Sequence, residues 1–109
     1  MSAKALFLFV EAACWHYAGV HGLRLKKVRQ LTRSESRVSA GKCYEDGTLA
    51  FDLRNEPYMI LELMAHELAH LAHWNHDEKW MRLYAELVQE MLTNGELDKI
   101  KKVCPILPT

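Results

Sequence analysis

The sequence predicts an α+β fold: an N-terminal helix, a small three-stranded sheet, a long apolar helix rich in histidine, and a C-terminal helix. Three observations carry this expectation. Apolar residues recur at helical spacing near the start of the chain and again across its second half. Alternation opens the stretch Leu23–Leu31, and Leu49, Phe51 and Leu53 share one side of Thr48–Leu53. Between the second and third strand candidates, Asp46-Gly47 supplies a tight turn.

Residues 3–18 read as an amphipathic helix on Leu6, Phe9, Val10, Ala13, Cys14 and Tyr17, with Gly19 able to end it. Leu23–Leu31 follows as a strand whose Arg24, Lys26, Lys27 and Arg29 make a solvated basic face. T-R-S-E-S-R is a polar connection, and Val38–Tyr44 is the second strand. Pro57 suits the first turn of a helix, after which Tyr58–His73 is apolar on most sides. Met59, Ile60, Leu63, Met64, Leu68 and Leu71 are its core candidates. Asn75 is placed to cap the next helix, with Glu78 completing a capping box and Asp77 in the first turn. That helix runs from about His76 to Thr93 on Trp80, Leu83, Tyr84, Leu87, Val88 and Met91, and Asn94-Gly95 stops it. The core therefore spans about residues 3–93, and 94–109 reads as a tail with a short turn of helix.

The chemistry concentrates in M-A-H-E-L-A-H-L-A-H-W-N-H-D-E-K-W, residues 64–80. His66, Glu67 and His70 form H-E-x-x-H. Four residues of helix advance about 400°, so His66 and His70 project from one face, ~6 Å apart along the axis. Two imidazoles so placed can reach one zinc ion at ~2.0–2.1 Å each. In such motifs the glutamate does not bind metal but takes a proton from the activated water, the role given to Glu67. His73 and His76 compete as the third ligand. His73 returns to within ~20° of the same helix face but lies ~10 Å up the axis from His66. His76 reaches the metal only if the helix stops and the chain folds back, and the cap signals at Asn75–Glu78 favour that stop.

Blander readings exist for each feature. A lone histidine in an apolar helix is usually a satisfied core residue, yet four of the six histidines fall within residues 66–76 with Glu67 between the first two. A purely structural zinc site usually closes with four protein ligands, mostly cysteine, and the nearest cysteine in sequence is Cys43. His16 and His21 have no motif around them and read as surface or structural. Glu86 and Glu90 on the last helix read as a solvated face, although a gluzincin draws its third ligand from such a glutamate.

The stretch G-K-C-Y-E-D-G-T-L-A-F-D-L-R from Gly41, then H-E-L-A-H-L, then N-H-D-E-K-W, resembles the small zincin-type metallopeptidases that include the SprT-like, WLM and YgjP-like domains. The resemblance covers roughly residues 20–93 and is most specific at His66, Glu67, His70 and His76, followed closely by the aromatic Trp80. It implies a minimal zincin-like domain with Zn2+ as cofactor. It also implies that strand 48–53 pairs with an extended substrate by β-augmentation, against the alternative of an ordinary interior strand.

Composition bounds the remaining readings. Of 109 residues, half are apolar and 26% charged, and the formal net charge of zero argues against a generic nucleic-acid binder. Residues 1–42 nevertheless carry eight Lys/Arg against two acids, and 43–109 carry six against twelve. A basic N-terminal half leaves nucleic acid open as an anionic partner. Cys14, Cys43 and Cys104 are odd in number and widely spaced, which fits a reducing, intracellular compartment such as the cytoplasm. The run A-L-F-L-F-V before Glu11 is short for a signal-peptide core, and no stretch is long enough to span a membrane.

The expected function is a zinc metallopeptidase acting on a polypeptide substrate. Glu67 is its general base, and His66, His70 and His76 are its metal ligands. So small a chain points to a partner protein for specificity. Tyr44, Tyr58, His73 and Arg54 are the candidates for a second electrophile. The alternatives are a zinc-dependent endoribonuclease with H-x3-H-x5-H spacing, whose family normally has glycine where Glu67 stands, and a metal-stabilised binding module without turnover.

Overall fold

The computed structural model describes residues 3–104. The chain is α+β: helix α1 (Ala3–His21), strand β1 (Lys27–Gln30), helix α2 (Arg33–Ser36), strands β2 (Gly41–Cys43) and β3 (Thr48–Phe51), then helices α3 (Pro57–Ala72), α4 (Glu78–Thr93) and α5 (Glu96–Val103). The sheet is mixed, in the order β1-β3-β2. β1 runs parallel to β3 with Val28 opposite Leu49, and β2 runs antiparallel to it with Lys42 opposite Ala50.

Several ends differ from the sequence reading, each for a local reason. α1 runs through Gly19 and stops at Gly22, which takes φ 64°. There the Leu23 N–H reaches the Ala18 carbonyl at 2.8 Å and the Gly22 N–H reaches Gly19 at 3.3 Å, the paired bonds of a Schellman end. The first strand is only Lys27–Gln30, because its partner β3 begins at Thr48 and offers four positions. Gly47 sets that start. Its φ is 96°, and a Cβ there would lie 2.7 Å from the Arg24 carbonyl oxygen, so the turn approaches the β1 lead-in backbone to backbone.

The polar connection contains a one-turn helix, α2, held by a capping box between Thr32 and Glu35. Glu35 also takes a two-pronged bond from Arg29 at 2.9 Å in each arm, and accepts from the Tyr44 hydroxyl. Arg29 and the Thr32 N–H hold the Glu35 carboxyl well below the usual carboxylate range. The basic face of β1 is thus partly paired, and it braces α2 against the β2–β3 hairpin.

The core gathers Leu6, Val10, Cys14 and Tyr17 of α1 with Leu49 and Phe51 of β3, and Ile60, Leu61, Met64 and Leu68 of α3. Leu87 and Met91 of α4 and Ile100 of α5 complete it. α3 lies at the centre, against β2, β3, α1, α4 and α5. Its buried stripe passes through Ile60, Leu61, Met64, Ala65 and Leu68, so Met59, one step off that phase, is 41% exposed instead of buried.

Residues 94–103 are not a tail. Gly95, at φ 76°, ends α4 and serves as the N-cap of α5. α5 buries Ile100 and Cys104 and ties its first turn to α1 through a 2.8 Å bond from the Tyr17 hydroxyl to Glu96. The expected tail beyond residue 104 lies outside the described residues. Among the described residues no helix is long and apolar enough to cross a membrane.

Candidate metal centre

Two helices and the turn between them carry the site. α3 is anchored at its start by Glu56, which accepts the Met59 N–H at 3.1 Å, and by Pro57 in the first turn. His66 and His70 leave it on one side, as their spacing requires. The helix ends at Ala72, where His73 turns to an extended conformation (φ −136°, ψ 104°). Residues 73–77 fold the chain back, and α4 begins at Glu78. The cap of α4 is Asp77, not Asn75: the Asp77 carboxylate accepts the Trp80 N–H at 2.9 Å. The later start leaves His76 in the turn, outside helical geometry, where its ring can reach back to α3.

The Nε2 atoms of His66, His70 and His76 meet in a triangle. The sides are 3.3 Å from His66 to His70, 2.9 Å from His70 to His76, and 3.3 Å from His66 to His76. Donors held at tetrahedral angles ~2.0–2.1 Å from one zinc ion lie ~3.3–3.4 Å apart, so the triangle has nearly the size such an ion asks for. These three side chains form a group that could hold a metal ion. His73 contributes its carbonyl oxygen rather than its ring, accepting from His70 Nδ1 at 3.1 Å. A carbonyl only accepts, so the proton sits on Nδ1 and the Nε2 lone pair faces the cluster. Burial, then His70 and His76, lowers the His66 pKa to about 4, and burial lowers that of His70 too. A cation at the centre of the triangle would take up the His70 Nε2 lone pair and the ring nitrogens facing it.

Trp80 packs beneath the group, its ring centre 4.9 Å from His66, 5.3 Å from His70 and 4.6 Å from His76. Its indole N–H points to the His66 carbonyl at 3.4 Å, and its other side stacks on Tyr84. The Tyr84 hydroxyl donates to Glu62 of α3 at 2.9 Å, so α4 is fixed to α3 just below the histidines.

Glu67 is 5% exposed, with its Oε2 3.8 Å from His66 Nε2. Burial pushes its carboxyl up to about 7. It fits under β2 because residue 41 is glycine: a Cβ there would come within 3.0 Å of Glu67 Oε2 and 3.3 Å of Leu63. A cleft of about 280 Å³ opens over the group, walled by Gly41, Lys42 and Cys43 on one side and by Trp74 and the three histidines on the other. Cys43 lines the cleft without joining the metal-binding group, and burial together with Glu67 pushes its thiol up to about 12.

Other expectations fall elsewhere. β3 is shorter than the expected 48–53: Thr48–Phe51 is the central strand, buried throughout and bonded on both sides, and has no edge for a substrate. None of Tyr44, Tyr58, His73 or Arg54 is among the cleft-lining residues: Tyr44 is bonded to Glu35, Arg54 pairs with Asp52 at 2.8 Å, and Tyr58 is exposed. Glu86 and Glu90 stand apart from the triangle. Sequence reasoning missed Gly41 and Trp74. The only sign of Gly41 was its place at the head of the hairpin, and Trp74 stands in sequence just past the helix end expected at His73, with no motif to mark it. No family model matches the chain, and no curated protein or solved structure matches it.

Proposed function

We propose that the chain is a zinc-dependent metallopeptidase that hydrolyses peptide bonds, with His66, His70 and His76 as ligands and Glu67 as general base. One observation carries the reading: a triangle of three Nε2 atoms beside a buried carboxyl group 3.8 Å from one of them. Three histidine ligands leave one tetrahedral position for water or substrate. The donor set, all neutral imidazole, suits zinc. The motif residues also support membership of the SprT-like, WLM and YgjP-like group, as their resemblance implies.

When bound, zinc supplies Lewis acidity, lowering the pKa of water towards ~7 and polarising a carbonyl. Glu67 accepts the proton of the attacking water and hands it to the departing amine nitrogen. Its burial keeps its basicity high, as that exchange needs. Trp80 and the His73 carbonyl hold the imidazoles in place. β2, not β3, is the edge strand at the cleft. Tyr44 and Ala40 bond to Thr48 and Asp52, so the ladder alternates and turns the N–H and C=O of Gly41 and Cys43 away from β3. Those of Gly41 bond to the Ser39 hydroxyl, which leaves Cys43 as the point where an extended peptide would pair.

The test is Glu67→Gln in the full chain. Zinc content should stay at the unmutated level while cleavage of an unstructured polypeptide falls ~10²-fold or more, the range a positioned acid–base contributes. Cleavage of RNA with no cleavage of peptide would instead favour the ribonuclease reading.

A further inference from the structure

We propose a second metal site, formed by His21, Glu86 and Glu90 where the C-terminal end of α1 meets α4, for a divalent transition ion of the zinc class. The three side chains come from positions far apart in sequence, yet one ligand atom of each lies within 4.8 Å of the other two. His21 Nε2 already stands 2.8 Å from Glu90 Oε1, and both side chains are largely buried, 13% and 31% exposed.

The electrostatics of the group ask for a cation. Glu86 and Glu90 are four residues apart on α4, a pairing of like charges that weakens a helix unless something sits between them. His21 lies in the last turn of α1, at the negative end of the helix dipole. With two carboxylates the group stays net negative whether His21 is protonated or not. One imidazole nitrogen with two carboxylate oxygens is a donor set for zinc and its neighbours, whereas magnesium and calcium favour oxygen alone. Donors ~2.0–2.2 Å from one ion span at most ~4.4 Å, so a small movement of the exposed Glu86 side chain closes the site. α1 packs on β1, α3 and α5, and this cluster joins it directly to α4, the helix that carries Trp80 under the histidine triangle. The site does not depend on the reading of that triangle.

The test measures zinc bound per chain after equilibrium dialysis of the full protein against a small excess of zinc. The unmutated chain should hold two ions and Glu86→Gln one, with the peptide-cleaving activity of the first site retained. Glu86 is exposed, so this change leaves the fold intact, and His21→Ala should give the same count. A chain with both His66→Ala and His70→Ala should keep one ion and lose it when Glu86→Gln is added. One ion in the unmutated chain and none in Glu86→Gln would uphold this site and sink the histidine triangle. Equal zinc in the unmutated and Glu86→Gln chains would overturn it, leaving His21–Glu90 as an ion pair only.

Discussion

At the scale of single residues, the third imidazole and the missing Cβ at position 41 decide the site. His76 and His73 both stand near the end of α3, but only His76 presents its Nε2 to His66 and His70. His76→Ala should therefore abolish most zinc retention, measured as metal content after dialysis against a mild chelator. His73→Ala should change it little, because its contribution is a backbone carbonyl that alanine keeps. Equal losses from the two would remove His76 from the ligand set. Gly41→Ala is sharper, since its closest contact is with Glu67, with Leu63 next at 3.3 Å. A methyl at 3.0 Å from Oε2 forces the carboxylate or β2 to move. Under the proposed peptidase reading, the variant should bind zinc normally and lose cleavage by an order of magnitude or more, because misplacing a reacting group by ~1 Å is costly. Unchanged cleavage would mean that Glu67 is not held where it acts.

At the scale of elements, the break between α3 and α4 is what makes three ligands possible. An unbroken helix would carry His76 about 15 Å along the axis from His66. The break is set by the Asp77 cap, with its 2.9 Å bond to the Trp80 N–H. Asp77→Ala should cost ~0.5–2 kcal/mol in chemical denaturation and also weaken zinc binding, because the same cap positions His76 and Trp80. Asn75→Ala should do neither, reversing what the sequence suggested. Asn and Asp are nearly equal as caps, so two candidates two residues apart could not be ranked by propensity. The choice fell to the reach of His76, a tertiary requirement.

At the scale of the whole molecule, a metal held between α3 and the α3–α4 turn is bound by the folded chain and not by the unfolded one. Chelation should therefore lower the melting temperature: free zinc at a hundred times its dissociation constant adds ~2.7 kcal/mol to stability. An unchanged melting temperature on chelation would argue against a folded-state site. The sequence by itself determined what depends on neighbours within about one helical turn. It determined that α1, α3 and α4 exist, that Asp46-Gly47 turns the hairpin, that His66 and His70 share a face, and that the chain reverses before His76. Those follow from backbone geometry and from side chains three or four residues apart. Only the tertiary structure decided the rest. β3 became the middle strand because β1 pairs with it in parallel across a crossover, a pairing that no local pattern encodes. The same holds for α5, which forms because Ile100 and Glu96 find α3 and Tyr17. Gly41 came to face Glu67, and His21 to face Glu86 and Glu90, across contacts between residues dozens of positions apart. Such contacts are selected by packing of the complete core, and no run of neighbouring residues records them.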